Sequence, residues 1–262
     1  MVAAASLALG ALSGQASADV LVDDTFDPGS TSPWQDISGV STSIGAGTGP
    51  LAGESVLIGA TGVAVNQVAR AFDAVTLANI NTSISVSFDY QLTSGISGDY
   101  LPAFGLYNSG GTAATADKTD DVGYYVKFNP KDDEATLFYE TGDSYGPVAG
   151  SGVNTLIQNG NYPAFSAGDM RHFELLLTRS AADTIDLKAT VTDPDGTTAT
   201  FTIDATASGT SFVDTFDTIY LRSRYGNYEL DNVQVESIIP EPGSLGLMGL
   251  GVLLVFNRHR TA

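Results

Sequence analysis

The sequence predicts an all-β protein, a two-sheet antiparallel jelly-roll-like sandwich with a short apolar helix added at each end. Three observations predict it. Apolar residues in the middle of the chain recur with period two, the spacing of strands that bury one face. Gly, Pro, Asn and Asp punctuate these runs at short intervals, as turns require. Helical periodicity is missing between the two ends, and roughly a dozen short strands joined by short turns must pair their apolar faces in two packed sheets.

From the start, Met1 to Leu12 is apolar and uncharged, and Ala16-Ser17-Ala18 offers the small-x-small pattern that signal peptidase accepts before Asp19. Residues 1–18 are therefore read as a signal peptide with Ala16 and Ala18 at the cut. They lack a basic n-region, which predicts that the true leader begins further upstream. Early strands are expected at Val20–Asp24, Ser55–Ile58 and Val63–Ala69. Ile84, Val86, Phe88 and Tyr90 then alternate with Ser85, Ser87 and Asp89. Phe104–Tyr107 follows, and Gly123–Phe128 is joined to Ala135–Tyr139 by the turn Asn129-Pro130-Lys131-Asp132-Asp133.

Phe173, Leu175 and Leu177 form the next inward set, with His172 on the opposite face. Thr184–Val191 and Thr197–Ile203 make a hairpin around Asp193-Pro194-Asp195-Gly196, and Thr218–Ser223 and Leu230–Val235 complete the series. The Gly/Ser/Thr-rich stretches Ser41–Gly53, Ser109–Asp121 and Gly142–Asn161 are expected to be loops. One domain over residues 19–239 accommodates all of this.

Pro240-Glu241-Pro242 then breaks regular structure, and Ser244 to Phe256 is apolar apart from Ser244, ending at Asn257-Arg258-His259-Arg260. As a helix this run spans roughly 20 Å, short of the roughly 30 Å hydrocarbon core. Arg258 and Arg260 place its end at the cytoplasmic headgroups.

Composition narrows the function. The chain has 30 acidic and 11 basic residues; Glu241, Arg258 and Arg260 lie in the tail, leaving 29 acids against 9 bases and a net charge of −20 on residues 19–239. Such a surface repels phosphate backbones, so nucleic acid is excluded as a partner. With no cysteine there is no disulfide, thiolate chemistry or thiolate metal site.

Catalytic residues are not assigned. His172 is the one imidazole in the predicted sandwich, and no Gly-x-Ser-x-Gly elbow accompanies it. A carboxylate pair on one strand fails at Glu229-Leu230-Asp231-Asn232-Val233, because Val233 stands where the second catalytic acid belongs. Cofactors are not assigned either, apart from a structural calcium, for which hard oxygen ligands are abundant. Asp231 shares strand parity with Val233 and Val235, which predicts an inward carboxylate that needs a partner. That partner is either calcium or backbone N–H groups of a neighbouring turn. Tyr145, Tyr162, Tyr225 and Tyr228, in or beside loops, are the aromatic groups suited to glycan contact.

Pro240-Glu241-Pro242, the Gly/Leu-rich run from Leu245 to Leu254, and Arg258 and Arg260 resemble a PEP-CTERM sorting signal over residues 240–262. The resemblance implies recognition and cleavage near Pro240–Pro242 by an exosortase, a membrane-embedded Cys-dependent protease. It also implies transient residence in the inner membrane of a Gram-negative bacterium after signal-peptidase processing, then release to the surface or matrix beside exopolysaccharide in a biofilm. Asp24-Thr25-Phe26-Asp27, Ser87-Phe88-Asp89-Tyr90 and Leu230-Asp231-Asn232-Val233-Gln234-Val235 are similar to concanavalin-like (LamG-type) jelly rolls. That likeness implies a structural calcium between the first and last strands, held by Asp24 or Asp27 with Asp231. The expected product is an exported, non-catalytic β-sandwich, with a secreted carbohydrate-active enzyme or a calcium-dependent glycan-binding module as alternatives.

Overall fold

A computed structural model describes residues 17–25, 34–36, 46–47, 55–59, 65–92, 103–111, 121–129, 134–141, 154–161, 168–193, 199–224 and 227–239. In chain order the strands are β1 (Ser17–Asp24), β2 (Gln35–Asp36), β3 (Ala46–Gly47), β4 (Ser55–Gly59), β5 (Val65–Thr76), β6 (Ser83–Leu92), β7 (Ala103–Asn108) and β8 (Val122–Asn129). They continue with β9 (Glu134–Thr141), β10 (Asn154–Asn161), β11 (Met170–Ala181), β12 (Thr184–Thr192), β13 (Ala199–Ser208), β14 (Thr215–Arg224) and β15 (Asn227–Ile239). One 3-10 turn, Gly209–Ser211, is the only helical element among the described residues.

The strands form two antiparallel sheets. The eight-stranded sheet runs β13-β12-β11-β6-β15-β4-β3, with β1 also pairing to β15; the seven-stranded sheet runs β10-β9-β8-β7-β14-β5-β2. The predicted fold class therefore holds. The hairpins β8–β9 and β12–β13 close where the turn residues place them, Asn129 opposite Glu134 and Thr192 opposite Ala199. The two expected terminal helices lie outside the described residues, among which no helix is long and apolar enough to cross a membrane.

Alternation builds the core. Ile84, Val86, Phe88 and Tyr90 of β6 face Phe173, Leu175 and Leu177 of β11 on the same side of the sheet and meet Phe104, Leu106, Val126 and Phe128 from the other sheet. Phe173 sits at the centre. Its ring lies 4.9 Å from Phe128 and 5.0 Å from Tyr90, both edge-on, and stacks at 5.6 Å on Phe88. Such offset and edge-on aromatic pairs add roughly 0.5–1.5 kcal/mol each beyond their buried area.

Two expected loops differ from the structure. Asn154–Asn161 is not loop but the edge strand β10, and Ala46–Gly47 within Ser41–Gly53 pairs with Ser55–Val56. The reason for the first is positional. An edge strand buries little, so β10 needs no alternating apolar set, and Leu156 is left exposed beside a bulge.

Candidate functional site

Two clusters of polar side chains stand on the outer faces of the sandwich. On the seven-stranded sheet the register sets two rows side by side. One runs Thr218, Tyr107, Gly123, Glu140; the next runs Ala69, Tyr220, Gly105, Tyr125, Phe138. The glycines make room for the rings. A Cβ at Gly123 would meet the Leu106 carbonyl oxygen at 2.3 Å and the Tyr107 ring at 2.7 Å, and one at Gly105 would meet the Tyr124 carbonyl oxygen at 2.3 Å. Tyr107 thereby lies across Gly123 and donates its hydroxyl to Glu140 Oε2 at 2.7 Å. Tyr220 donates to Asp121 Oδ2 at 2.6 Å, and its ring packs edge-on against Tyr107 at 4.9 Å.

These groups are buried, Tyr107 at 0% and Glu140 at 2% exposure. Burial pushes the Tyr107, Tyr125 and Tyr220 hydroxyls well above the usual tyrosine value, and the nearby Glu140 and Asp121 carboxylates add to the rise. Tyr107 and Tyr220 are thus fixed as neutral donors. Composition alone did not single out this cluster; the two glycines set opposite tyrosines are its signal, readable once the strand register is known.

The second cluster lies half-exposed on the eight-stranded sheet. Asp89 of β6 stands between His172 of β11 and Asp231 of β15 in the register. Its Oδ1 is 2.8 Å from His172 Nδ1, and its Oδ2 accepts from Asn232 Nδ2 at 2.6 Å. Burial pushes the Asp89 carboxyl up, but the hydrogen bonds from His172 and Asn232, with the histidine charge, outweigh it and leave the group below its ordinary value. One step along the same face, Glu229 lies opposite Gln91. Desolvation raises Glu229, whose buried Oε2 has no donor among the described residues. A carboxylate held ionised and a carboxyl driven toward its neutral form thus share one face.

Asp231 is the point at which the structure departs from strand parity. The ladder between β15 and β6 shifts between Asp231 and Gln234, and Asn232 takes the left-handed conformation with φ of 52°. One residue is inserted there, so Leu230 and Val233 both face the core while Asp231 faces outward beside Asp89. The expected inward Asp231 is corrected accordingly. Its Oδ1 accepts the Asn232 backbone N–H at 2.7 Å.

Asp24 is turned the other way. It pairs with Val233 in β1–β15 and lies on the inner side, where Oδ2 accepts from Trp34 Nε1 at 2.8 Å and from Arg70 Nη1 at 2.6 Å. Desolvation lowers the Arg70 guanidinium, while Asp24 and Asp23 oppose that change. Asp24 and Asp231 therefore stand on opposite faces of one sheet and are not brought together. Among the described residues no group of three or more His, Asp or Glu side chains is arranged to hold a metal ion.

Of the other sequence-derived positions, Ala18 lies in β1 opposite Ile238, and Tyr228 lies in β15 opposite Ile58 and Leu92. Ala16, Asp27, Tyr145, Tyr162, Tyr225, Pro240, Glu241, Pro242, Arg258 and Arg260 lie outside the described residues.

Comparison with known proteins gives three findings. No curated protein sequence matches the chain. Among solved structures it is similar to a protein of unknown function with a galectin-like fold from Bacillus subtilis, at 9% identity and a TM-score of 0.51 over 86% of this chain and 99% of that one. It is also similar to a carbohydrate esterase from the Shiga toxin-encoding bacteriophage phi24B, at 13% identity and a TM-score of 0.50 over 84% of this chain and 99% of that one. At these identities the likeness is one of fold. Residues 239–260 match the PEP-CTERM protein-sorting motif, so the chain carries the signal of exosortase-dependent export behind a jelly-roll β-sandwich.

Proposed function

We propose that this chain is an exported surface or matrix protein, delivered by a leader and an exosortase-processed tail, whose sandwich works without catalysis among extracellular polysaccharide. The observation that carries the reading is the position of the sorting motif, which begins at the last residue of the last strand. The whole sandwich is thus cargo on the amino side of the cut. Glu140 and Asp121 on the outer face of the seven-stranded sheet support a structural role, because each accepts a tyrosine hydroxyl in a buried setting. The expected outcome is recovery of the sandwich in the surface or matrix fraction with intact mass lacking residues 245–262. Truncation after Ile239 should abolish its passage through the membrane-bound intermediate, and a full-length C-terminus in surface material would overturn the reading.

A second reading, a carbohydrate-active site, draws on one observation. Glu229 and Asp89 share an outer face and are displaced in opposite directions, the pattern of an acid and a base held apart by their environments. Release of reducing sugar from soluble β-glucans or from the producer's own polysaccharide, lost in both Glu229→Gln and Asp89→Asn, would favour it. No release from either substrate by the unsubstituted protein would remove it.

A further inference from the structure

The two segments at which processing is expected adjoin one ladder. β1 pairs antiparallel with β15 so that Ser17 faces Ile239, Ala18 faces Ile238 and Asp19 faces Ser237. Directly opposed residues in such a ladder stand about 4.5–5.5 Å apart at Cα. The sorting motif starts at Ile239, so its first residue is still part of the sheet. On the other side of β15, pairing with β6 ends at Ile238 opposite Ser83. Ile239 therefore has Ser17 as its ladder partner.

The leader cut expected between Ala18 and Asp19 falls inside this strand. Water adds to the Ala18 carbonyl, leaving a carboxyl on Ala18 and an amine on Asp19, and Ser17 and Ala18 depart with the leader. β1 then reaches only as far as the Asp19–Ser237 pair. Ile239 loses its partner, and Ile238 keeps β6 alone. What remains is a short, extended, apolar stretch at the amino side of the sorting motif, its Ile239 side already 45% exposed before the cut. An unpaired strand edge offers its N–H and C=O groups to another chain, and partners that read extended peptides bind through those groups.

We propose that the uncleaved leader shields the sorting junction, and that its removal uncovers Ile238–Ile239 as the strand edge by which the exosortase engages the tail. The inference rests on the reading of residues 1–18 as a leader and 240–262 as an exosortase substrate. It makes signal-peptide removal a condition for tail removal.

The test uses the full chain in a host with the exosortase system, read by intact mass and N-terminal sequencing of membrane and surface fractions. Ala16→Tyr with Ala18→Tyr places bulky groups where signal peptidase requires small ones. In chains that keep the leader, the fraction losing residues 245–262 is expected to fall by about tenfold or more. Adding Ser17→Pro removes the backbone N–H and weakens the pairing with Ile239 while the leader stays in place. Tail removal is then expected to return to within about twofold of the unsubstituted chain, because the edge is open again. Tail loss at the unsubstituted level in leader-retaining chains overturns the proposal, and so does a failure of Ser17→Pro to restore it, which assigns the defect to location or folding. An unsubstituted chain that keeps its tail overturns the underlying reading as well, an outcome visible without any substitution.

Discussion

On the outer side of the seven-stranded sheet, Glu140 and Asp121 are buried against tyrosine hydroxyls; on that of the eight-stranded sheet, Asp89 and His172 stand partly exposed beside a buried Glu229. Both faces use carboxylates held by a donor. Their surroundings separate them. Deep burial makes the first set a fixed scaffold whose tyrosines stay neutral, whereas Asp89 and His172 of the second set are only partly buried. The difference teaches that polar richness on a β-face does not by itself mark a working site; the access of that face to water does.

The strongest way to break the comparison is at Gly123. Gly123→Ala sets a Cβ against the Leu106 carbonyl and the Tyr107 backbone, neither of which is a flexible side-chain end. Overpacking of this kind costs about 1–3 kcal/mol, and the upper end is expected in urea unfolding. An equal loss from Thr190→Ala, on the exposed face, would erase the distinction between the faces.

Next in size is Tyr107→Phe, which takes a donor from the buried Glu140 carboxylate and is expected to cost about 1–3 kcal/mol. Tyr125→Phe is its control. The Tyr125 hydroxyl is buried with no hydrogen-bond partner among the described residues, so its removal should be neutral or stabilising. Unfolding curves for the two variants that shift equally in the same direction would count against the tyrosine–carboxylate pairing.

The half-exposed face should respond to pH instead. The folded state raises Glu229 above its ordinary value, so its protonated form is preferred in the fold, and stability falls as pH rises from the ordinary glutamate value through the folded one. Glu229→Gln is therefore expected to raise Tm at pH 7 and to leave it nearly unchanged near pH 4. Asp89 is lowered in the fold, so the stability it brings is present above the ordinary aspartate value and is lost as pH falls through its folded value. Asp89→Asn should flatten the acid limb of the Tm–pH profile, and a profile that keeps the parent's slope would sink the assignment to the His172–Asp89–Asn232 group.

The smallest effect is expected from chelation. Arg70 and Trp34 already engage Asp24, and Asp231 lies across the sheet, so EDTA should leave Tm within about 1 °C. A larger drop would show a cation site that these residues do not form.

Much of the architecture was legible in contiguous residues. The alternation of Ile84, Val86, Phe88 and Tyr90, and the turn residues at Asp193-Pro194-Asp195-Gly196, act locally and placed a strand and a hairpin correctly. β10 was not legible, because an edge strand with exposed side chains carries no periodic apolar signal. The tyrosine face was also hidden. Tyr107, Gly123 and Glu140 come from three strands, and no spacing along the chain links them.

By itself the sequence determined the β class, the acidic surface and the sorting motif, each of which resides in composition or in a few adjacent residues. Tertiary structure alone decided where carboxylates point and which ends meet. One inserted residue at Asn232 reverses the facing of Asp231 relative to Val233, and a register between the first and last strands sets Ser17 beside Ile239. Side-chain facing alternates with every residue, so a single bulge inverts it, and pairing between the first and last strands is set by the assembled sheet rather than by either strand alone.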